Sequence, residues 1–288
     1  MRVGLLCRNG VATGSEYFKC KELRNLGHTV VVLDQSPIAL NREAAETCNL
    51  FVSAKAPIQS MQILREHTGV PHVMWHNDFC AWKTSRLRWM HEAMPLVDAA
   101  VLSDGVFVAQ YEHARHDLHG LNYEAPLNRH LPIHQNSKRI FAGGYFAPSD
   151  ARERLAKLAM LRPTDVYGMP YTIAIQLDAH HYSETPQTKM DRVYNGNVGL
   201  SPVRDPAMHH YTSNRALLIT GGNGLLYAEA FDGCEAFFSD QEAVWYKEAK
   251  PYRFQESHIE IQQRGRERAW RDYSWPVVTK RFMQSLGY

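Results

Sequence analysis

The sequence predicts an α/β protein with two domains, each built on a parallel β-sheet. The first residues read in turn as strand, glycine loop, helix and strand: MRVGLLC, GVATGSE, SEYFKCKELRNLG and HTVVVLD. This is the unit that joins parallel strands. The pattern restarts at RIFAGGYF, after a Pro-, Asn- and His-rich stretch typical of a linker. A chain of 288 residues is also long enough for two cores.

The first half continues the alternation of strands and helices. Ser15 is a suitable N-cap for the first helix and Gly27 a suitable stop. CNLFVSAK, PHVMWHND and DAAVLSD predict three further strands, and SMQILREHTG predicts a helix. Open parallel sheets bind ligands at the carboxyl ends of their strands. The residues at those ends are therefore binding candidates: Asn9, Gly10, Lys55, His76, Asp78 and Asp104.

The second half repeats the alternation. DARERLAKLAML predicts an amphipathic helix, and TDVYG and YNGNVGLSP predict strands on either side of an irregular polar stretch over 178–192. SNRALLITGGNGLLYAEAF then predicts a capped helix, a glycine turn and a strand, before one or two closing helices. We expect Rossmann-like domains over 1–137 and 138–270, with a C-terminal helix over 271–288 that could cross back to the first domain.

Composition excludes some classes of function. The chain carries 32 basic and 30 acidic residues, so its net charge of +2 does not by itself indicate a nucleic-acid or membrane partner. Five widely spaced cysteines without a CxxC pair favour reduced, mostly buried thiols. No apolar run reaches the roughly 18 residues of a membrane helix, and no signal peptide is recognisable. We expect a cytoplasmic protein with no membrane insertion.

Two segments of the second half could bind phosphate. Gly143 and Gly144 follow a strand, where small residues let backbone N–H groups approach an anion. Ser213, Asn214 and Arg215 open a helix, whose free N–H groups and dipole favour an anion and whose Arg adds a bidentate cation. Taken separately, each could be an ordinary turn or cap. Two such ends in one domain favour a phosphate site that needs no metal.

Two segments of the first half have competing interpretations. Gly10, Gly14 and Asp34 could form the dinucleotide site of an NAD-dependent oxidoreductase, but the glycines lack GxGxxG spacing and a simple turn is the alternative. HNDFCAWKTSRLRWMHE interleaves tryptophans with Lys83 and Arg86, which suits phosphates and stacked bases. An amphipathic helix with its tryptophans inward and its arginines outward is the favoured explanation of that segment.

The second half resembles the C-terminal domain of the GT-B glycosyltransferases, in the group-1-like branch that includes spore-maturation-type proteins. The matching segments are RIFAGGYFAPSDARERLAKL, DVYG, the S-x-R helix start, the G-x-E-x-x-F element, the E-x-x-x-Y strand and RGRERAWRDYSW. The resemblance covers about residues 138–288. The first half is similar only in its strand order and in VMWHND.

This resemblance implies a GT-B fold, with two Rossmann-like domains whose parallel sheets face a central cleft. It implies a hexosyl- or pentosyltransferase that uses a nucleotide-sugar donor as co-substrate, UDP-sugar favoured, with no metal required. The diphosphate would lie at the two phosphate-competent ends and the base after Tyr167-Gly168. The donor-binding residues would be Gly143, Gly144, Tyr167, Gly168, Ser213, Asn214, Arg215, Gly224 and Glu235.

The first half would bind a hydroxyl acceptor. An inverting enzyme also needs a general base, for which Asp78 is the first choice and His76 the second; Asp104 and Glu16 lie further back. A retaining enzyme could need none of them. The acceptor could be a hydroxymethylated base in DNA, a soluble metabolite or a cell-surface polymer. The acceptor-binding candidates are Asn9, Gly10, Glu16, Lys55, Asp104, Lys83 and Arg86.

One position departs from the family. Many relatives carry a Glu three residues after the helix-opening Arg, where it holds the donor ribose, and here that position is Leu218. Glu235 or Glu242 would have to replace it. Leu218 also leaves open a non-catalytic nucleotide-binding module.

Overall fold

The computed structural model describes residues 1–76, 84–103, 105–117, 120–143, 151–183, 189–202 and 214–288. Contacts divide the chain into two compact units, Leu121–Ser274 and the combination of Met1–Gly120 with Trp275–Tyr288. The domain boundaries at 137/138 and 270/271 that we expect from the sequence stay a prediction about independently folding domains.

Unit 1, which comprises Met1–Gly120 and Trp275–Tyr288, contains a six-stranded parallel sheet of order β2-β1-β3-β4-β5-β6. Its strands are β1 Arg2–Cys7, β2 Thr29–Asp34, β3 Leu50–Ser53, β4 His72–His76, β5 Ala99–Leu102 and β6 Ala114–His116. Its helices are α1 Ser15–Asn25, α2 Arg42–Glu46, α3 Ile58–Thr68, α4 Thr84–Ala93, α5 Gly105–Val108 and α11 Trp275–Ser285. Because β2 and β3 flank β1, the strand order reverses between β1 and β3, where such sheets bind ligands.

Helix α11 completes the core of unit 1. Trp275 and Phe282 are each 1% exposed and join the cluster formed by β1, β3, β4 and α1. The Phe282 ring stacks on Trp75 with centroids 3.9 Å apart, and Trp275 stacks on Phe18 at 6.0 Å. A Cβ at Gly120 would lie 2.2 Å from the Trp275 ring, so only glycine fits there. The first 120 residues therefore lack part of their own core.

Unit 2, Leu121–Ser274, contains a second six-stranded parallel sheet, of order β12-β11-β10-β7-β8-β9. Its strands are β7 Arg139–Ala142, β8 Asp165–Tyr167, β9 His180–Tyr182, β10 Val198–Ser201, β11 Leu225–Glu229 and β12 Val244–Tyr246. Its helices are α6 Ala151–Leu161, α7 Tyr171–Gln176, α8 Met190–Tyr194, α9 Asn214–Gly221 and α10 Ser257–Tyr273. The strand order reverses between β7 and β10.

The predicted linker, residues 122–139, belongs to unit 2. Gln262 of α10 accepts a hydrogen bond from the Ile133 N–H at 3.0 Å and donates to the Leu131 carbonyl at 3.0 Å. Asn223 also donates to the Leu131 carbonyl, at 2.9 Å. These side-chain amides bind the backbone of residues 131–133, which belongs to no strand in the part of the chain that the structure describes, and composition does not reveal such contacts.

The helix, turn and strand predicted around the glycine run are present. Helix α9 ends at Gly221 and β11 starts at Leu225. Asn223 has a φ of 59°, and the Gly224 N–H donates to the Ile219 carbonyl at 2.8 Å. Among the residues described, no helix has both the length and the apolarity needed to cross a bilayer. The four described cysteines are buried, unbridged thiols.

Candidate functional site

Arg215 lies where the strand order of the second sheet reverses. It occupies the first turn of α9, and its Nε donates to the Ala142 carbonyl at the end of β7 over 2.6 Å. Its guanidinium carbon lies 4.6 Å from the centroid of the Phe141 ring. A hydrogen bond and a cation–π contact thus hold this cation at the carboxyl edge of the sheet.

Gly143 makes room for that guanidinium. Its N–H donates to the Tyr167 carbonyl at 3.1 Å, which fixes the backbone just after β7. A Cβ at this position would lie 2.7 Å from Arg215 Nη2 and 3.0 Å from Phe141 Cζ. From the sequence we expect a glycine here to give a phosphate access to the backbone N–H groups. The geometry adds a second reason, since a side chain here would displace Arg215.

Three buried polar atoms have no hydrogen-bond partner among the described residues: Oδ1 of Asn214, which precedes Arg215, and the hydroxyls of Tyr194 and Tyr246, on which the charge of Arg215 acts. Burial raises the pKa of Tyr194, and the charge of Arg215 opposes that rise. Burial and Glu229 raise the pKa of Tyr246, where Arg215 again acts in the opposite direction. Buried polar groups are usually satisfied, so this polar surrounding distinguishes the edge from an ordinary helix start.

An ion pair lies at the carboxyl end of β11. Lys157 Nζ on α6 approaches both carboxylate oxygens of Glu229, at 2.9 and 3.3 Å. Glu229 pairs in register with Tyr246 of β12, so the two side chains share a face of the sheet. The sequence carries no local signal for this pair, because its partners are 72 residues apart.

A pair of tyrosines lies at the ends of β8 and β9. The rings of Tyr167 and Tyr182 stack with centroids 4.3 Å apart and planes 7° from parallel. Burial raises the pKa of Tyr167 to about 12, so its hydroxyl stays protonated at neutral pH. Gly168 follows with a φ of 69°, and its N–H donates to the Tyr182 carbonyl at 2.9 Å. Gly168 thus occupies a left-handed conformation that favours glycine.

Two further predicted donor residues lie before and after β11. Gly224 precedes the first residue of β11, at the amino edge, whereas Arg215 contacts the carboxyl edge. Glu235 is exposed in a 3₁₀ turn, Cys234–Ala236, beyond the end of β11.

The departure at Leu218 has a structural reason. Leu218 is 7% exposed, and its carbonyl accepts a hydrogen bond from the Tyr123 hydroxyl at 2.9 Å. It therefore belongs to the core. Glu242, one of its two suggested replacements, already accepts hydrogen bonds from the Ser239 N–H at 3.0 Å and the Ser239 hydroxyl at 3.1 Å.

The carboxyl edge of the first sheet carries several predicted acceptor residues. Asn9 and Gly10 form a turn directly after β1, with φ of 56° and 62°. Gly10 packs beside Asp34, whose carboxylate accepts the Ser36 N–H at 2.8 Å. Lys55 is exposed just after β3.

His76 and Glu16 differ in accessibility. His76 ends β4 and is only 2% exposed, with its ring centroid 5.6 Å from that of Trp89. Glu16 is half-buried in the first turn of α1. Burial raises the pKa of Glu16, while Lys19, the Thr13 N–H and Lys55 lower it.

Comparison with solved structures identifies the fold. Sucrose-phosphate synthase from Thermosynechococcus elongatus aligns with a TM-score of 0.68 and 10% identity, over 99% of this chain and 98% of that one. HepE from Anabaena, in complex with UDP-glucose, aligns at 0.66 and 10% identity over 100% and 99%. An alpha-glucosyltransferase in complex with UDP-glucose and DNA containing an abasic site aligns at 0.62 and 10% identity over 100% of both.

These solved structures are GT-B glycosyltransferases. The chain has the GT-B fold. Neither protein-family models nor curated protein sequences match it. At 10% identity the likeness establishes the GT-B architecture of two parallel sheets, and the activity has to be argued from the residues.

Some residues predicted for this GT-B chain fall outside the structural description. Asp78, Lys83, Asp104, Gly144 and Ser213 lie outside the described residues, and Arg86 lies in α4 with its side chain not described. Across the described ranges, no three His, Cys, Asp or Glu side chains are grouped so that they could hold a metal ion.

Proposed function

We propose that this protein is a glycosyltransferase that moves a sugar from a nucleoside-diphosphate donor to a hydroxyl acceptor. The observation that carries the proposal is Arg215, held at the N-terminal turn of α9 and bound to the end of β7. In glycosyl transfer, negative charge builds on the leaving diphosphate. A helix N-terminus with a fixed guanidinium stabilises that charge.

The proposed diphosphate site consists of the two phosphate-competent ends. Gly143 and Gly144 supply backbone N–H groups, and Ser213, Asn214 and Arg215 supply the helix start. Among the described residues, the buried Asn214 Oδ1 has no hydrogen-bond partner; because an amide oxygen accepts hydrogen bonds, this supports an ordered water or a ligand hydroxyl at this point and not a direct contact to phosphate.

We assign the nucleobase to the edge formed by Tyr167 and Gly168. The stacked ring of Tyr182 supports this assignment by holding Tyr167 in place. For the ribose we favour Glu235, which is exposed, over Glu242, whose carboxylate is engaged by Ser239. Gly224 would act by letting α9 turn tightly into β11, away from the ligand.

A UDP-sugar is the favoured donor. HepE is described in complex with UDP-glucose, and the DNA-bound alpha-glucosyltransferase likewise. The latter is also described in complex with DNA, which supports DNA as one partner class for this chain, and a hydroxymethylated base in it stays a predicted acceptor. The hexosyl or pentosyl nature of the sugar, and membership of the spore-maturation-type branch, stay predictions.

The acceptor is proposed to bind at the carboxyl edge of the first sheet. Asn9, Gly10, Glu16 and Lys55 lie at that edge or in the adjoining turn of α1. Asp104, Lys83 and Arg86 stay predicted acceptor residues. For an inverting reaction, Asp78 and His76 stay the predicted bases, although at 2% exposure His76 needs a local opening to meet an acceptor.

Leu218 supports a second candidate, a nucleotide-binding module without turnover. Because this position is a buried leucine, it offers no carboxylate for the donor ribose. Release of UDP from UDP-glucose, followed with and without candidate acceptors, separates the two. Nucleotide binding without any UDP release would favour the module.

The first experiment is a calorimetric binding screen of UDP, GDP, ADP, CMP and NAD against the wild type and Arg215→Ala. We expect UDP to bind the wild type. Loss of hydrogen bonds between Arg215 and the charged diphosphate, at about 1.5–3 kcal/mol, weakens binding about 10- to 100-fold in the variant. Arg139→Ala is the matched control, because Arg139 starts β7 at the amino edge. Binding of NAD alone, unchanged in Arg215→Ala, would contradict the proposal.

A further inference from the structure

Strand β2 forms one outer edge of the sheet in unit 1. It pairs with β1 along its whole length, and none of the strands in the described part of the chain pairs with its other side. The Thr29 N–H donates to the Met1 carbonyl at 3.0 Å, and the Gln35 N–H donates to the Cys7 carbonyl at 2.9 Å. In a parallel strand the N–H and C=O of one residue point to the same side, and the side alternates from residue to residue. Residues 29, 31, 33 and 35 therefore face β1.

The backbone groups of Val30 and Val32 consequently point away from the sheet. A side chain on α1 supports this direction, because Nη2 of Arg24 donates to the Val30 carbonyl at 3.5 Å. This distance is at the upper limit for a hydrogen bond, so the guanidinium holds the carbonyl only weakly. A strand edge with outward N–H and C=O groups is a template for pairing with a further strand.

A cavity of about 370 Å³ lies beside this edge, between β2 and helix α1. The buried Cys20 and the half-buried Val32 form its apolar part, and Tyr17, Lys21 and Arg24 add an aromatic ring and two cations. The four helix residues are three or four positions apart, so they share one face of α1. Among the described residues that line the cavity, none is an Asp or Glu. The groove therefore combines backbone hydrogen-bonding groups, an apolar recess and positive charge.

We propose that this groove binds an extended acidic segment of a partner protein, which joins the sheet as a further strand beside β2. The backbone groups of Val30 and Val32 pair with the segment. Every second side chain of the added strand then faces α1. An apolar side chain enters the recess at Cys20, and a carboxylate two residues along binds Arg24 and Lys21. The inference does not depend on the proposed transfer reaction.

Charge favours an acidic partner over a second copy of this chain. Antiparallel pairing of β2 with the same strand of a second copy requires a two-fold axis perpendicular to the sheet. Both copies of α1 then lie on the same face, and their cations approach one another and repel. Cations beside an edge strand also protect it from aggregation, but that role does not require a recess large enough for a side chain.

The test measures fluorescence anisotropy of a labelled peptide, fluorescein-Ser-Val-Thr-Glu-Thr-Val-Ser-amide, with the intact protein. Its valines and its glutamate share one face of an extended strand. We expect this peptide to bind, and the same peptide with lysine in place of glutamate to bind about tenfold more weakly or worse. N-methylation of one alternate set of residues should abolish binding. N-methylation of the other set, whose N–H groups point to solvent, should change affinity less than about twofold.

Variants of the protein test the groove itself. Lys21→Glu combined with Arg24→Glu reverses its charge and should weaken binding about tenfold or more. Lys247→Glu combined with Lys280→Glu is the matched control, because it makes the same change in net charge at two exposed lysines elsewhere. Val32→Pro removes an outward N–H and leaves the pairing with β1 intact, which an edge strand tolerates, and should also weaken binding. If Val32→Pro does not fold, the charge reversal and the methylated peptides still decide the question.

Three results would each overturn the proposal. Failure of the glutamate peptide to bind would remove the acidic partner. Equal affinity of both methylated peptides would show an ionic contact without strand addition. A dimer in sedimentation equilibrium that Val32→Pro dissociates would show that a second copy of the chain occupies the edge.

Discussion

At the scale of single residues, the absence of a side chain at Gly143 and the position of the Arg215 guanidinium depend on each other. The missing side chain of Gly143 leaves the space in which Arg215 Nη2 lies, 2.7 Å from where a Cβ would be. A methyl group there must move the end of a flexible side chain and press on Phe141. A substitution at this position should therefore displace the Arg215 guanidinium and leave the fold largely unchanged.

We therefore expect Gly143→Ala to weaken UDP binding about tenfold, the loss of one charge-assisted hydrogen bond, with little change in Tm. Isothermal calorimetry and thermal denaturation measure the two effects. Gly27→Ala is the control, because Gly27 has a φ of 84° and open space around it. That variant should lose about 1 kcal/mol of stability and keep its UDP affinity. Equal UDP affinity in Gly143→Ala and wild type would argue against a phosphate at this edge.

His72 predicts a pH-dependent stability at the same scale. It is 2% exposed, and its Nε2 lies 2.8 Å from the Ser53 hydroxyl. Burial lowers its pKa from 6.5 to about 4, with Asp98 opposing the shift. The folded state thus binds fewer protons than the unfolded state between these values, so stability falls as pH drops from 6.5 towards 4.

Integrated from pH 7.5 to 5.0, the His72 contribution to the free energy of unfolding falls by about 2 kcal/mol. Urea unfolding of wild type and His72→Gln at both values isolates it, since other groups titrate alike in the two proteins. The wild type should lose about 2 kcal/mol more than the variant. The same loss in both proteins would show that His72 is not held neutral.

The sequence predicts the parts of the site that have a local signal, but not the contacts between residues far apart in the chain. The glycine turn at 143 and the helix start at 215 have local signals, a small residue after a strand and a capping pattern. The Lys157–Glu229 pair and the Lys19 contact to Trp75 join residues 72 and 56 positions apart. Periodicity along the chain carries no information about such partners.

At the scale of elements, the predictable strands are those with apolar runs. The central strands β1, β3, β4 and β10 are buried on both faces and give continuous apolar stretches. The missed strands, β6 and β9, are sheet edges with exposed residues: ARH and HHY. Each of these strands pairs with one neighbour through its backbone and has no run of apolar side chains that would reveal it. For this reason β9 lies within the stretch over 178–192 that the sequence predicts to be irregular.

The two ends of helix α1 also differ in how well the sequence predicts them. The sequence predicts Ser15 as the N-cap of α1, but the helix begins at Ser15 and Gly14 occupies the cap position with a φ of 54°. The predicted stop at Gly27 agrees, since its φ of 84° and its bond to the Arg24 carbonyl close the last turn. Glycine stops are set by backbone conformation, whereas Ser caps compete with several nearby alternatives.

At the scale of the whole molecule, the chain order and the folding units do not coincide. Unit 2 is one continuous segment, while unit 1 needs residues from both ends of the chain. Composition alone does not distinguish α11 from another amphipathic closing helix, although we expect from the sequence that a C-terminal helix over 271–288 could cross back to the first domain. Its apolar face is completed by Trp75 and Phe18, which come from the other end of the sequence.

This arrangement predicts how fragments behave. Residues 121–274 include all of the second sheet and its core, so we expect this fragment to fold alone and to bind UDP as the full chain does. Residues 1–120 lack Trp275 and Phe282, and loss of such buried aromatic side chains costs about 3–5 kcal/mol each. We expect that fragment to lack cooperative unfolding and dispersed NMR signals.

Joining 1–120 directly to 275–288 should restore the first unit. The Gly120 backbone touches the Trp275 ring, and the Leu121 N–H donates to the Tyr273 carbonyl at 2.7 Å, so the two crossing points of the chain are adjacent. A short Gly-Ser linker therefore spans them without strain. Cooperative urea unfolding of the fusion, set beside 1–120 alone and a fusion carrying Phe282→Ala, measures the contribution of α11. A fragment 1–120 that folds as well as the fusion would mean that α11 covers a core that is already complete.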